Sequence, residues 1–330
     1  MKRLLITGAS GFIGGFLVEE ALNNGYEVYA GIRETSNLEY LKNNDIEFFT
    51  VDLSDKQAIK DLLMTPWKFD YIIHNAGLTK TCDKKLFDKV NLKNTQNLIE
   101  ALHETDKIPS KFVFISSLAA YGPSRNGSAQ IKLSDVPKPV SFYGESKLKT
   151  ENYIKSLEKF PYLIFRPTGV YGPREKDYYV MYKSINSGLE TYIGSKEQYI
   201  SFIYVKDLAK LLIGSLKSEV VRKSYFVSDL KSYTAVEFND IIKKELNKKT
   251  IKIIFPKLLI EMIAWVGEWF LCTLFKKTPT LNSDKYKDIS QNNWTCDSND
   301  LIADFNFKPE YDLKKGIHEA IQWYKKKGML

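Results

Sequence analysis

Apolar positions in the first two-thirds of the chain come in two alternating patterns. Short apolar runs at Leu4-Leu5-Ile6, 26–32, 46–51, Tyr71-Ile72-Ile73, 111–115 and Leu163-Ile164-Phe165 have the length of strands buried on both faces. Between them, apolar residues recur at helical spacing. Phe12, Phe16, Leu17, Ala21 and Leu22 mark one helix, Ile59, Leu62 and Leu63 a second, and Leu86, Val90, Leu98 and Leu102 a third over 84–103. Ser141 is placed to cap a further helix that contains Tyr143, Lys147 and Leu148. Six strand–helix alternations predict a parallel, doubly wound α/β sheet. Such sheets bind ligands beyond the carboxyl ends of their strands, where Gly8, Asp52, Ala76, Ser117 and Thr168 all fall.

The pattern loosens after Gly172. A strand at 201–205, a helix at 207–216 and a strand at 225–227 are followed by a mixed stretch, read as a smaller lobe that reaches about residue 310. Within it 256–275 is the most apolar run of the chain. Glu261 and Glu268 interrupt that run on one helix face, with Trp265 between them. Two carboxylates near the middle of a span would each be costly, so this segment is expected to be an amphipathic helix packed on the lobe or on a partner, without membrane contact. A closing helix is expected at 313–324.

Composition narrows the picture only modestly. The 330 residues are 44% hydrophobic and 27% charged, which suits a globular chain with a sizeable core. The net charge of +8 comes from scattered lysines and no nucleic-acid motif accompanies it, so nucleic-acid binding is not expected. Three cysteines, Cys82, Cys272 and Cys296, are too few and too dispersed for a disulfide framework or a zinc site. Three histidines, His74, His103 and His318, lack metal-ligand spacing, so no metal is expected. The chain begins a strand at once, and a reducing, cytoplasmic setting is the default expectation.

The candidate chemistry begins at Ile6-Thr7-Gly8-Ala9-Ser10-Gly11-Phe12-Ile13-Gly14. Three glycines on a strand-to-helix turn let the backbone approach a pyrophosphate, toward which the helix N-terminus directs free N–H groups. The second strand ends in Ile32 and then Arg33, where a site selective for NAD tends to carry a carboxylate. Arginine pairs with a 2′-phosphate that a carboxylate would repel, which favours NADP over NAD. Glu34, one residue on, leaves NAD possible.

Tyr143 and Lys147 are four apart and share a helix face. The lysine is expected to lower the phenol pKa, making Tyr143 a general acid/base, while Ser117 hydrogen-bonds the substrate oxygen. Tyr179/Lys183, Tyr192/Lys196 and Tyr311/Lys315 repeat the spacing, and only position after the fifth strand selects Tyr143/Lys147. His74 is read as held by packing and hydrogen bonds.

Thr7-Gly8-Ala9-Ser10-Gly11-Phe12-Ile13-Gly14, Val51-Asp52-Leu53, His74-Asn75-Ala76-Gly77, Phe114-Ile115-Ser116-Ser117, Tyr143 with Lys147, and Arg166-Pro167-Thr168-Gly169-Val170-Tyr171-Gly172-Pro173 carry a resemblance. They resemble the extended short-chain dehydrogenase/reductase family, also called the NAD-dependent epimerase/dehydratase family. The resemblance implies a Rossmann domain (1–169, with about 199–228 and 311–330) and a discontinuous lobe (about 170–198 and 229–310). It implies catalysis by Ser117, Tyr143 and Lys147 on a small molecule, in a dimer joined through helices near 84–105 and 143–157. The cofactor would meet Gly8, Ser10, Gly11, Phe12, Ile13, Gly14, Arg33, Asp52, Leu53, Asn75, Ala76, Gly77, Thr79, Asn91, Tyr143, Lys147 and Thr168. Tyr171 and Arg174 join Ser117 as substrate candidates.

Departures from the family pattern narrow the reading. Leu118 and Ala119 stand where 4,6-dehydratases carry an Asp-Glu pair, and Gly169 stands where many epimerases have asparagine. Ile32-Arg33 looks more like the NADP-dependent reductases of the dihydroflavonol-reductase type, and an apolar helical stretch near the C-terminus also occurs in some 3β-hydroxysteroid dehydrogenase-like members. The leading expectation is an NAD(P)-dependent oxidoreductase acting on a secondary alcohol or ketone, the alternative a nucleotide-sugar epimerase with tightly bound NAD.

Overall fold

Seven parallel strands run through the middle of the computed structural model, which describes residues 1–330 except Asn126, Ser128, Ser195 and Lys196. In chain order the first half contains β1 (Arg3–Thr7), α1 (Phe12–Asn23), β2 (Glu27–Ile32), β3 (Ile46–Thr50), α2 (Lys56–Leu63) and β4 (Tyr71–His74). One helical stretch follows, made of α3 (Lys85–Phe87), a π-helical turn (Asp88–Lys93) and α4 (Asn94–Glu104). Then come β5 (Lys111–Ile115), a 3-10 turn (Leu118–Ala120), α5 (Phe142–Ser156) and β6 (Tyr162–Pro167).

The second half holds β7 (Gly169–Tyr171), α6 (Tyr179–Asn186), β8 (Leu189–Ile193), β9 (Tyr199–Ile200), β10 (Phe202–Tyr204), α7 (Val205–Ser215) and β11 (Lys223–Val227). It continues through β12 (Tyr233–Thr234), α8 (Ala235–Leu246), β13 (Ile251–Phe255), α9 (Lys257–Leu274), α10 (Ser283–Ile289), β14 (Asn293–Trp294), α11 (Asp300–Phe305) and α12 (Leu313–Lys326).

The large sheet has the order β11-β6-β5-β4-β1-β2-β3. The chain leaves β1 in one direction through β2 and β3, then returns to β4 on the other side, so the order reverses between β1 and β4. At such a switch point the connections diverge and open a crevice at the carboxyl edge. Leu4, Ile6, Val28, Ile73, Val113 and Leu163 face one layer of helices, and Leu5, Ile72, Phe112 and Ile164 face the other. Burial on both faces explains why these strands read as continuous apolar runs.

A second core lies around Tyr171, Tyr182, Phe202, Tyr204, Phe238, Ile242, Leu313, Ile317 and Ile321. α12 packs with α8 and β10 in this second core, while Leu301 and Phe307, on and just after α11, join the core of the large sheet. Sequence spacing shows that α12 has an apolar face, but not which core that face meets.

One expectation fails and another is met in part. Cys82 and Cys272 form a disulfide across a sequence separation of 190 residues, leaving only Cys296 free. Cysteine count therefore gives no argument for a reducing setting. The amphipathic helix at 256–275 exists as α9, yet only Ile260 and Ala264 on it are buried. Its most apolar arc faces outward.

Candidate active site

The turn after β1 fits a dinucleotide phosphate by its sterics and its free donors. Gly8 has φ +66°, and a Cβ there would stand 2.8 Å from the backbone of Ala76 in the loop after β4. A Cβ on Gly14 would collide with the backbone at Gly8 and Ala9. Only glycine allows this close approach of turn, helix and neighbouring loop. α1 has no side-chain cap and no acidic residue in its first turn, so the N–H groups at Phe12, Ile13 and Gly14 have no side-chain competitor. By contrast, Asp55 caps α2, Ser141 caps α5 and Asp312 caps α12.

The β4 loop is fixed from below by a buried polar network. His74 Nδ1 meets Thr7 Oγ1 at 2.8 Å, and Nε2 meets Thr95 Oγ1 at 2.9 Å. Burial, with help from the Lys147 charge, pushes the His74 pKa down to about 3, so the imidazole stays neutral as a structural link. Asn75 Nδ2 donates to the Gly8 carbonyl at 3.1 Å. Asn91, in the π-helical turn, accepts from the Leu78 N–H at 2.7 Å, and its amide donates to the Leu78 carbonyl at 3.0 Å and to Ser146 Oγ at 2.9 Å. Asn91 thus clamps the loop to α5. The π-turn shifts the helical phase at that residue, a distortion common at functional positions.

Lys147 projects from α5 into the same place. Its Nζ donates to the Ile115 carbonyl at 2.9 Å and lies 4.8 Å from the centre of the Phe114 ring. A Cβ on Gly77 would come within 3.2 Å of that Nζ and 3.1 Å of Asn91 Oδ1. Burial pushes the Lys147 ammonium down to about 8, with buried Glu151 opposing the shift. Glu151 accepts from Arg166 Nε at 2.8 Å and Nη2 at 2.7 Å, and from Ser116 Oγ at 2.6 Å. Burial works against the Glu151 charge, but the Arg166 guanidinium holds its carboxyl below the usual range.

Tyr143 lies one turn before Lys147, beside Ser117 at the end of β5. The expected lowering of its pKa is not found. Burial pushes the phenol up to about 12, Asp288 adds to the rise, and the Ser117 hydroxyl opposes it. Desolvation of the phenolate outweighs the Ser117 hydrogen bond.

Sequence spacing missed two carboxylates on α10. Asp284 accepts from the Phe142 N–H at 2.8 Å and the Tyr143 N–H at 3.1 Å, sharing the helix cap with Ser141 Oγ, which accepts from the Gly144 N–H at 3.1 Å. Asp288 has a buried Oδ1 with no partner among the described residues, and burial pushes its carboxyl up to about 7. No local pattern links α10 to α5, so only the fold reveals this pairing.

The remaining candidates divide. Arg33 is exposed just past β2, where its N–H donates to Ser36 Oγ at 3.0 Å. Hydrogen bonds from Ser54 hold the Asp52 carboxyl below its usual range, and the Arg33 charge contributes. Asn97 ties Leu53 and Ser54 down through their carbonyls at 3.0 and 3.1 Å. Thr79 is exposed, and Thr168 Oγ1 donates to the Val227 carbonyl at 3.1 Å.

Tyr171 and Arg174 do not join the group. The Tyr171 hydroxyl donates to the Asp312 carbonyl at 3.2 Å inside the second core. The Arg174 guanidinium sits 4.3 Å from the ring centres of both Phe16 and Tyr40 and pairs with Glu19 at 2.6 Å, against α1. Of the repeated Tyr-x-x-x-Lys spacings, Tyr179/Lys183 lies on α6 and Tyr311/Lys315 at the start of α12, while Lys196 of Tyr192/Lys196 is outside the described residues.

Comparison with known proteins bears on the family and the fold. The sequence profile described as the NAD dependent epimerase/dehydratase family matches residues 4–227. The chain is 26% identical to a putative UDP-glucose 4-epimerase of Methanocaldococcus jannaschii, over 98% of each chain. It is 23% identical to a decarboxylating sterol-4-alpha-carboxylate 3-dehydrogenase of Candida albicans, over 98% of this chain and 97% of that one. The crystal structure of a Thermotoga maritima UDP-glucose 4-epimerase with UDP-glucose superposes with a TM-score of 0.80 at 19% identity, covering 98% of this chain and 99% of the other.

Proposed function

The chain belongs to the NAD dependent epimerase/dehydratase family, and within it we propose an NADP(H)-linked reductase or dehydrogenase that interconverts a secondary alcohol and a ketone. The observation that supports this reading is Ser117 beside Tyr143, with Lys147 one turn further along α5 and its Nζ between the Ile115 carbonyl and Gly77. The nicotinamide, when bound, supplies or accepts the hydride. In the oxidative direction Ser117 Oγ would hold the substrate hydroxyl, and Tyr143, in its ionised form, would take the proton at Oη as the carbon–hydrogen bond breaks. Lys147, fixed at the Ile115 carbonyl, stabilises the phenolate by its charge. In the reductive direction the same phenol returns the proton to the alkoxide oxygen.

Two observations favour net oxidation or reduction. The 3-10 turn after Ser117 carries Leu118 and Ala119, neither of which can protonate a leaving hydroxyl. Ile32 ends β2 without a carboxylate, and exposed Arg33 follows it, which supports NADP. The full-length likeness to a putative UDP-glucose 4-epimerase supports a second reading, epimerisation of a nucleotide-linked sugar. A screen of alcohols, ketones and nucleotide sugars that follows absorbance of the reduced nicotinamide separates the two. The proposal expects net cofactor turnover, and an epimerase gives none. Tyr143→Phe is expected to lower kcat by roughly 100-fold or more while leaving cofactor affinity in place. Unchanged turnover in that variant would remove Tyr143 from the chemistry.

A further inference from the structure

α9 turns its polar side toward the protein and its apolar side away from it. Ile260 and Ala264 are its buried residues. At 3.6 residues per turn, Glu261, Glu268 and Lys257 fall on the same side as these two. Glu268 accepts from the Ser283 N–H at 2.8 Å, and Lys257 Nζ donates to the Ser290 carbonyl at 2.6 Å. The opposite arc carries Leu258, Leu259, Met262, Trp265, Val266, Trp269 and Phe270, with no charged residue among them. Trp265 is 65% exposed and Leu258 69% exposed. Ile251 and Ile254 of β13, which leads into α9, are exposed as well.

An apolar surface of this extent on an otherwise well-packed chain marks a site of interaction. The charges around it indicate which kind. Lys248, Lys249 and Lys252 lie before α9 and Lys276 and Lys277 after it, all exposed and none in an ion pair among the described residues. An apolar arc with two tryptophans and lysines at both ends complements an anionic lipid surface, whose acyl boundary takes the rings and whose phosphates take the lysines. No described helix is long and apolar enough to cross a membrane, so α9 would lie in the plane of the interface.

We propose that α9 is an interfacial anchor that seats this protein on anionic lipid bilayers. The anchor is joined to the candidate active site at two points. Cys272 on α9 is bonded to Cys82, and α10, packed on α9 through Tyr286, supplies the Asp284 cap of the Tyr143 helix. The inference stands on the surface of α9 and does not depend on which reaction the site performs.

The test uses the full chain with vesicles of phosphatidylcholine alone or mixed with phosphatidylglycerol, read by co-sedimentation and tryptophan emission. Binding to the mixed vesicles is expected with a blue-shifted emission, at least tenfold weaker binding to phosphatidylcholine alone, and release as salt is raised. Trp265→Ser with Trp269→Ser is expected to lower vesicle affinity at least tenfold, and Lys276→Ala with Lys277→Ala roughly tenfold. Cofactor affinity and melting temperature, unchanged in both variants, show that the fold is kept. Failure to co-sediment would overturn the proposal, as would vesicle binding that survives loss of both tryptophans. A stable dimer that the tryptophan pair alone dissociates, without vesicle binding, would assign the face to a second copy of the chain and overturn it equally.

Discussion

The Tyr178 hydroxyl occupies the space that a Cβ on Gly169 would need. Tyr178 in turn packs edge-on against Phe202 and Phe238 in the second core, so it cannot withdraw freely. The small residue that opens β7 and the bulky one before α6 are a matched pair. An asparagine at 169, of the kind the family resemblance associates with many epimerases, is incompatible with Tyr178 in its present position. Gly169→Ala is expected to destabilise the protein by about 1–3 kcal/mol through overpacking. Tyr178→Phe in the same chain, by removing the hydroxyl, is expected to return part of that loss. Urea unfolding of the single and double variants measures both, and an additive double variant would show that the two residues do not share this space.

The proposed preference for NADP rests on Arg33. Arg33→Ala is expected to weaken NADP binding by about 1.5–3 kcal/mol, the scale of a hydrogen bond to a charged group, and to spare NAD. Isothermal titration with each cofactor reads the difference. Equal losses for both would mean that Arg33 is a solvated loop charge and that the 2′-phosphate has no partner here.

Asp288 gives a pH dependence whose sign follows from its raised pKa. An aspartate in the unfolded chain titrates near 4, whereas burial in the folded chain pushes Asp288 up to about 7, with Ser141 opposing and Asp284 adding to the rise. Between these values the folded chain holds the extra proton, so this group's contribution to stability falls as pH rises through the window and stays lost above it. The slope is at most about 1.4 kcal/mol per pH unit. Asp288→Asn is expected to flatten stability between about pH 4 and 7, measured as melting temperature against pH. Ionised Asp288 also raises the Tyr143 pKa. The same variant should therefore move the tyrosine-dependent limb of the kcat/KM profile to lower pH, and a limb that stays in place would mean the two groups are not coupled.

Regular spacing made some of this structure legible and left the rest hidden. The central strands of the large sheet are buried on both faces and stand out as apolar runs, and Tyr143 and Lys147 share a helix face by their i, i+4 spacing. The Glu151–Arg166 pair and the Asp284 cap join residues from separate elements, and nothing periodic connects them. For α9 the period reveals two faces, but a period has no sign. It cannot say that the glutamate side turns inward, where Glu268 finds the Ser283 N–H. The Tyr143 pKa went the opposite way from its expected shift because sequence shows a neighbouring ammonium but not the depth of burial.

The Cys82–Cys272 bond carries the last prediction. Cys82 follows the cofactor-edge loop at Gly77 to Thr79, and Cys272 lies near the end of α9, so the bond closes a very long loop of chain. Closing such a loop restricts the unfolded ensemble, and removing the bond is expected to cost about 2–4 kcal/mol. Cys82→Ser and Cys272→Ser should therefore each show that loss in urea unfolding, and the double variant should show it only once. A thiol reductant should bring the natural chain down to the same level and leave the variants unchanged. Losses that add in the double variant would mean that the two side chains act separately and that the bond contributes little. Asn91 holds Leu78 through both its N–H and its carbonyl, so the part of the loop proposed to meet the cofactor stays clamped to α5. Cofactor affinity is accordingly expected to survive reduction, with the loss of stability confined to the tie between that loop and α9.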